Sequence, residues 1–129
     1  MRKSTALPLA LMLGFGAAAV AEPTRVSGYE VDLFLNGKTA KCIKTRDNST
    51  CDTYFAKDGS VKRFTPADGK IKTGTWSVDQ DELLNVQWTG KKRAMKFVVM
   101  DTGEGAWQLL KGGKLKALIK GAQPGDQIK

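Results

Sequence analysis

The chain contains no histidine at all, and of its 129 residues only four are proline and two cysteine, Cys42 and Cys51. Histidine is the side chain that titrates near neutral pH and serves most often as general base or metal ligand. Its absence excludes the familiar Ser-His and Cys-His nucleophilic machinery and the zinc sets that depend on imidazole. Two cysteines cannot build a four-thiolate cluster, and eight residues separate them, far from Cys-x-x-Cys redox spacing. The longest apolar run falls short of the roughly 20 residues that a membrane-crossing helix needs. The densest acidic group, Asp79, Asp81 and Glu82, lacks the glycine and distal glutamate of a calcium loop and reads as a solvated turn. Neither catalysis, a metal nor a cofactor is therefore expected.

What is present begins with an address. Arg2 and Lys3 precede an apolar run over residues 6–20, and Ala19-Val20-Ala21 has the small-x-small pattern of a cleavage site, so residues 1–21 read as a cleaved signal peptide. Pro8, Gly14 and Gly16 disfavour a lasting membrane helix there, and no cysteine stands at the cleavage point to carry a lipid. The expected product is a periplasmic or secreted chain with one domain over residues 22–120 and a surface or frayed tail over 121–129. Without Arg2 and Lys3, 19 lysines and arginines face 13 acidic residues, a net charge of +6. An oxidising compartment predicts a Cys42–Cys51 disulfide.

The spacing Ser27-Gly28-Tyr29-Glu30 matches a capping box, Val31, Phe34 and Leu35 then fall on one helical face, and Asn36-Gly37 is a stop signal. A short amino-terminal helix is predicted, although Tyr29, Val31, Leu33 and Leu35 also alternate as a strand would. From Thr39 the period becomes two. Strands are predicted over residues 39–46, 53–57, 60–65, 71–78, 83–89, 93–100, 106–111 and 114–120. The breaks between them carry turn residues such as Asp58-Gly59, Gly90 and Gly112-Gly113. The fold class is thus mainly β: an antiparallel meander of about eight strands closing as a small barrel.

Alternation places Gly74, Trp76 and Val78 on one face, as it does Leu84, Val86 and Trp88, then Met95, Phe97 and Val99, then Trp107 and Leu109. These residues form the candidate core. If the barrel keeps an opening at one end, Trp76, Trp88 and Trp107 are the candidate aromatic walls of a ligand cavity. Positive charge gathers at the turns, and Lys91, Lys92, Arg93, Lys114 and Lys116 are the candidate anion contacts. Lys114 and Lys116 share a strand face opposite Leu115, Ala117 and Ile119. Such a basic exterior favours anionic partners outside the cytoplasm, an envelope component or an acidic secreted protein, over nucleic acid.

The runs Asn36-Gly37-Lys38-Thr39, Tyr54-Phe55-Ala56-Lys57-Asp58-Gly59-Ser60-Val61, Gly74-Thr75-Trp76-Ser77-Val78 and Val86-Gln87-Trp88 resemble small secreted bacterial lipocalin-like, or calycin-like, domains of unknown function. That resemblance implies a barrel and carries no catalytic residues. The chain is also similar in architecture to periplasmic barrel inhibitors of secreted metalloproteases, which implies that Glu22-Pro23-Thr24-Arg25-Val26 could enter a protease cleft. The expected function is that of a non-catalytic binding module for an anionic or amphipathic envelope ligand or a protein. The alternative is an inhibitor or immunity-type protein acting on a secreted hydrolase.

Overall fold

The architecture is organised by the change of period that follows Gly37. The computed structural model describes residues 22–128, so the expected signal peptide lies outside the described residues. Before the change, a two-residue strand β1 (Thr24–Arg25) leads into helix α1 (Gly28–Leu35). The Ser27 hydroxyl caps the helix by accepting from the Glu30 amide at 3.2 Å and donates in turn to the Glu30 carboxylate. Val31 and Leu35 are fully buried and Phe34 half-buried, whereas Tyr29 and Leu33 face outward. The helix therefore prevails over the alternating strand pattern because its cap and its buried face agree. Gly37, at φ 75°, turns the chain into the sheet.

Eight strands follow: β2 (Lys38–Lys44), β3 (Thr50–Phe55), β4 (Ser60–Thr65), β5 (Lys70–Val78), β6 (Leu84–Trp88), β7 (Met95–Asp101), β8 (Trp107–Lys111) and β9 (Lys114–Pro124). Each pairs antiparallel with the next, and β9 returns to pair with β2, so the sheet closes on itself and the barrel predicted from the turns is formed. Closure leaves the ring without an unpaired edge. β9 carries a register shift on each side, between Leu115 and Ala117 against β8 and between Ile119 and Gly121 against β2. It runs on to Pro124 rather than stopping at Lys120. The residues beyond are also tied down: Thr39 Oγ1 donates to the Gly125 carbonyl and accepts from the Gln127 amide, and Ile128 is buried.

The helix plugs one end of the barrel. Val31 and Leu35 join Phe55, Val61, Trp76, Leu84, Val86 and Val99 in one buried cluster. β1 completes the wall beyond the start of β6, pairing Thr24 with Asp101 and Arg25 with Met100, and the Val26 amide donates to the Val99 carbonyl. Thr24, Arg25 and Val26 are thereby built into the barrel wall. The turn after β5 secures this junction. Asp79 accepts from the amides of Asp81 and Leu83 and from Asn85 Nδ2, and Glu82 accepts from the Gly28 amide. The Asn85 and backbone hydrogen bonds, aided by Lys96, hold the Asp79 carboxyl below the usual carboxylate range.

Cys42 and Cys51 are register partners on β2 and β3 and form the disulfide, with Cα atoms 4.9 Å apart. The bond closes a short loop, which on the chain-entropy model contributes about 2–3 kcal/mol. Replacing both cysteines by alanine is expected to lower the unfolding free energy by roughly that amount in urea titration. An unchanged midpoint would show that the ladder alone fixes this hairpin.

Candidate functional site

The end of the barrel away from the helix is open. Turns over residues 45–49, 66–69, 89–94 and 112–113 surround it, and a cavity of about 730 Å³ descends between them. That volume is in the range of pockets for small organic ligands. Its floor and lower wall are apolar: Trp88, Met95, Phe97, Leu109 and Ala117, with Leu115 at the lip. Its upper wall is dominated by cations, Lys44, Arg46, Arg63, Lys72, Lys91, Lys92, Arg93, Lys111, Lys114 and Lys116, with Thr45 among them. No aspartate or glutamate among the described residues lines it.

The register sets these charges against one another. Arg63 on β4 faces Lys72 on β5, and Lys111 faces Lys114 across the β8–β9 hairpin. Like charges directly opposite destabilise a strand pair. The hairpin connection is Gly112-Gly113, both at positive φ as a type I′ turn requires, so the tight turn itself fixes the lysine pair. The described ion pairs, Lys41–Asp52, Lys62–Asp126 and Lys96–Asp79, involve none of the cavity cations. Two acidic residues occur in the turns at this end. Asp47 accepts from the Ser49 hydroxyl and amide, which lower its pKa, and Asp68 accepts from the Lys70 amide.

Arg63 is the deepest of these charges. Its guanidinium carbon lies 5.0 Å from the Trp88 ring centroid, with Lys72 Nζ at 5.3 Å over the same ring. Arg63 Nε donates to Thr53 Oγ1 at 3.1 Å. A disulfide sulfur has no proton to give, so the Thr53 hydroxyl in turn donates to Cys42 Sγ at 3.5 Å. Burial pushes the Arg63 pKa down to about 10, which leaves it cationic at neutral pH. Lys72 is lowered as well, first by desolvation and then by repulsion from Arg63, Lys44, Lys91 and Arg46. The cavity therefore stores unfavourable electrostatic energy that an anion would relieve.

The rim is held by backbone contacts. The Thr45 amide and hydroxyl donate to the carbonyls of Lys116 and Leu115, and Gln87 Nε2 and the Lys91 amide fold the turn after β6 back on itself. The five lysines and arginines expected from sequence, Lys91, Lys92, Arg93, Lys114 and Lys116, all line the cavity. The bulge after Leu115 breaks the simple alternation expected for β9, so Leu115 is partly exposed while Ala117 is buried.

The tryptophans divide. Trp88 is in the cavity, but Trp76 and Trp107 are not. Trp76 fills the plugged half, where its Nε1 donates to the Ala56 carbonyl at 2.8 Å and its ring meets Phe55 edge-on. Trp107 packs on Phe34 of the helix, with ring centroids 4.3 Å apart. Both share the inward parity of Trp88, yet they sit at the other end of their strands. Arg63 and Lys72 were not among the candidate anion contacts, although parity pointed to them: Arg63 follows Val61 by two residues, and Lys72 precedes Gly74 by two. No family model, curated protein or solved structure matches the chain.

Proposed function

We propose that the barrel is a non-catalytic carrier or receptor for a small anionic amphiphile, working in the periplasm or outside the cell. The apolar body would lie over Trp88, Met95, Phe97 and Leu109, and the carboxylate or phosphate head would sit between Arg63 and Lys72. One observation carries this proposal: like charges are placed opposite each other, without a carboxylate, directly above an apolar floor. Such an arrangement costs folding energy that an anionic ligand offsets. A nucleic acid or a polyphosphate would leave the floor unused. Burying each methylene of an acyl chain contributes about 0.8 kcal/mol, so body and head both add to affinity.

Titration with decanoate below its aggregation concentration tests this. Saturable binding that changes tryptophan fluorescence is expected, with the signal lost in Trp88→Phe. Decanol and decyltrimethylammonium should bind at least about tenfold more weakly, since one charge contact is worth 1.4 kcal/mol or more. Equal binding of the cationic amphiphile would overturn the proposal.

A pH dependence follows with a definite sign. The complex favours protonated Lys72, whose pKa is lowered in the free protein, so affinity for decanoate falls as pH rises through that lowered value. The ligand carboxylate is already ionised at neutral pH and adds no titration in this range. Lys72→Arg is expected to move the fall to higher pH, as isothermal titration across the alkaline range would show.

A further inference from the structure

We infer that the open end of the barrel docks on an anionic lipid bilayer, the surface from which the cavity is loaded. This rests on the proposed function and names the source of the amphiphile.

Two short segments carry the inference. Lys70-Ile71-Lys72 opens β5 and Lys114-Leu115-Lys116 opens β9, each an apolar residue between two lysines. In the eight-strand ring β5 and β9 are four strands apart in either direction, so the two triplets stand on opposite sides of the mouth. Ile71 is 48% exposed and Leu115 38%; the other large exposed apolar residues described, Tyr29 and Leu33, lie on the helix at the plugged end. An apolar tip beside cations suits the bilayer interface, where the tip enters the acyl region and the lysines meet phosphates.

The charge distribution orients the approach. Acidic side chains gather at the plugged end, with Glu30 and Asp32 on the helix and Asp58, Asp79 and Glu104 in its turns. At the mouth only Asp47 and Asp68 stand in the described turns, outnumbered by the ten lysines and arginines that line the cavity. An anionic surface therefore attracts the mouth and repels the plug, presenting the cavity to the lipid. An acidic glycan or an acidic protein would match the lysines, but neither accounts for an exposed apolar side chain at the centre of both triplets.

Cosedimentation with phosphatidylcholine vesicles, with and without phosphatidylglycerol, tests the inference. Binding is expected only with the anionic lipid, weakening as salt is raised. Ile71→Ser, which does not touch the cavity, should weaken vesicle binding about tenfold, and adding Leu115→Ser should weaken it further. Tyr29→Ser with Leu33→Ser should have no effect. Equal binding to neutral vesicles, or full binding by the Ile71→Ser, Leu115→Ser protein, would overturn the inference. So would capture on heparin beads that is the same for both proteins and is not competed by anionic vesicles.

The two proposals separate cleanly. Ile71→Ser should keep its decanoate affinity in vesicle-free solution while docking about tenfold more weakly. Arg63→Met should still dock, because Arg63 lies below the rim, while binding decanoate about tenfold more weakly. If wild-type protein binds decanoate but not anionic vesicles, the docking inference fails alone; the reverse result removes the cavity reading and leaves the docking surface.

Discussion

Replacing Arg63 and Lys72 together by methionine is expected to lower affinity for decanoate by about two orders of magnitude while leaving the barrel as stable as before, or more so. The binding side follows from the head-group contacts. Each hydrogen bond or close contact to a charged partner is worth roughly 1.5–3 kcal/mol, so losing two removes at least about 3 kcal/mol, or about a hundredfold in Kd. The stability side follows from the same two groups in the empty protein. Burial holds the Arg63 pKa near 10, Lys72 is depressed by desolvation and by its cationic neighbours, and the two face each other in register.

A lysine whose pKa is lowered on folding subtracts stability throughout the pH range below that lowered value. The penalty is relieved as pH rises from the lowered value toward the ordinary one. Methionine removes the charge and keeps a flexible apolar chain against Trp88, the kind of exchange that is often neutral or stabilising at a desolvated site. Arg63 also gives up its bond to Thr53, which offsets part of the gain. The measurements are decanoate titration and urea unfolding on the double variant. Lys41→Met serves as a control, since Lys41 pairs with Asp52 and does not line the cavity. Unchanged affinity in the double variant, or the same loss in the control, would assign the cavity charges no role.

The turns made most of this fold legible. Asp58 accepts from the amide and hydroxyl of Ser60, and Gly112-Gly113 supplies two positive-φ residues, so each breaks the strand pattern for a local reason visible in the residues themselves. Strand β4 accordingly has the boundaries its turns predict. Depth along the barrel was less legible. Trp76, Trp88 and Trp107 have the same inward parity, and which of them meets a cavity depends on which end the helix closes, a long-range packing choice. The far end of β9 was hidden for a related reason. Gly121, Gln123 and Pro124 form a poor strand by composition, but pairing with Lys41, Thr39 and Lys38 of β2 overrides that preference. The cationic mouth was half visible. Lys91, Lys92 and Arg93 stand together in one turn, whereas Lys44, Arg63, Lys72 and Lys111 are scattered through the sequence and meet only when the sheet closes.

Gly74→Ala is expected to damage the fold and the cavity together, unlike the paired methionine exchange. A Cβ at position 74 would lie 2.2 Å from the Gln87 carbonyl oxygen and 2.9 Å from the Trp88 Cα. These are backbone atoms of the neighbouring strand, so no side-chain rotation relieves the clash; β5 and β6 must move apart. Overpacking of this sort typically costs about 1–3 kcal/mol and sometimes more. Gly74 and Trp88 are register partners, so the displacement falls on the ring that carries Arg63 and Lys72. Decanoate affinity should therefore fall along with the urea midpoint. Gly69→Ala provides the comparison: Gly69 has φ 68° with nothing within 4 Å of an added Cβ, so it should lose only the roughly 1–2 kcal/mol of left-handed backbone strain and keep its affinity. If Gly74→Ala were as stable as wild type and bound decanoate normally, the close crossing of β5 and β6 would not be what positions Trp88.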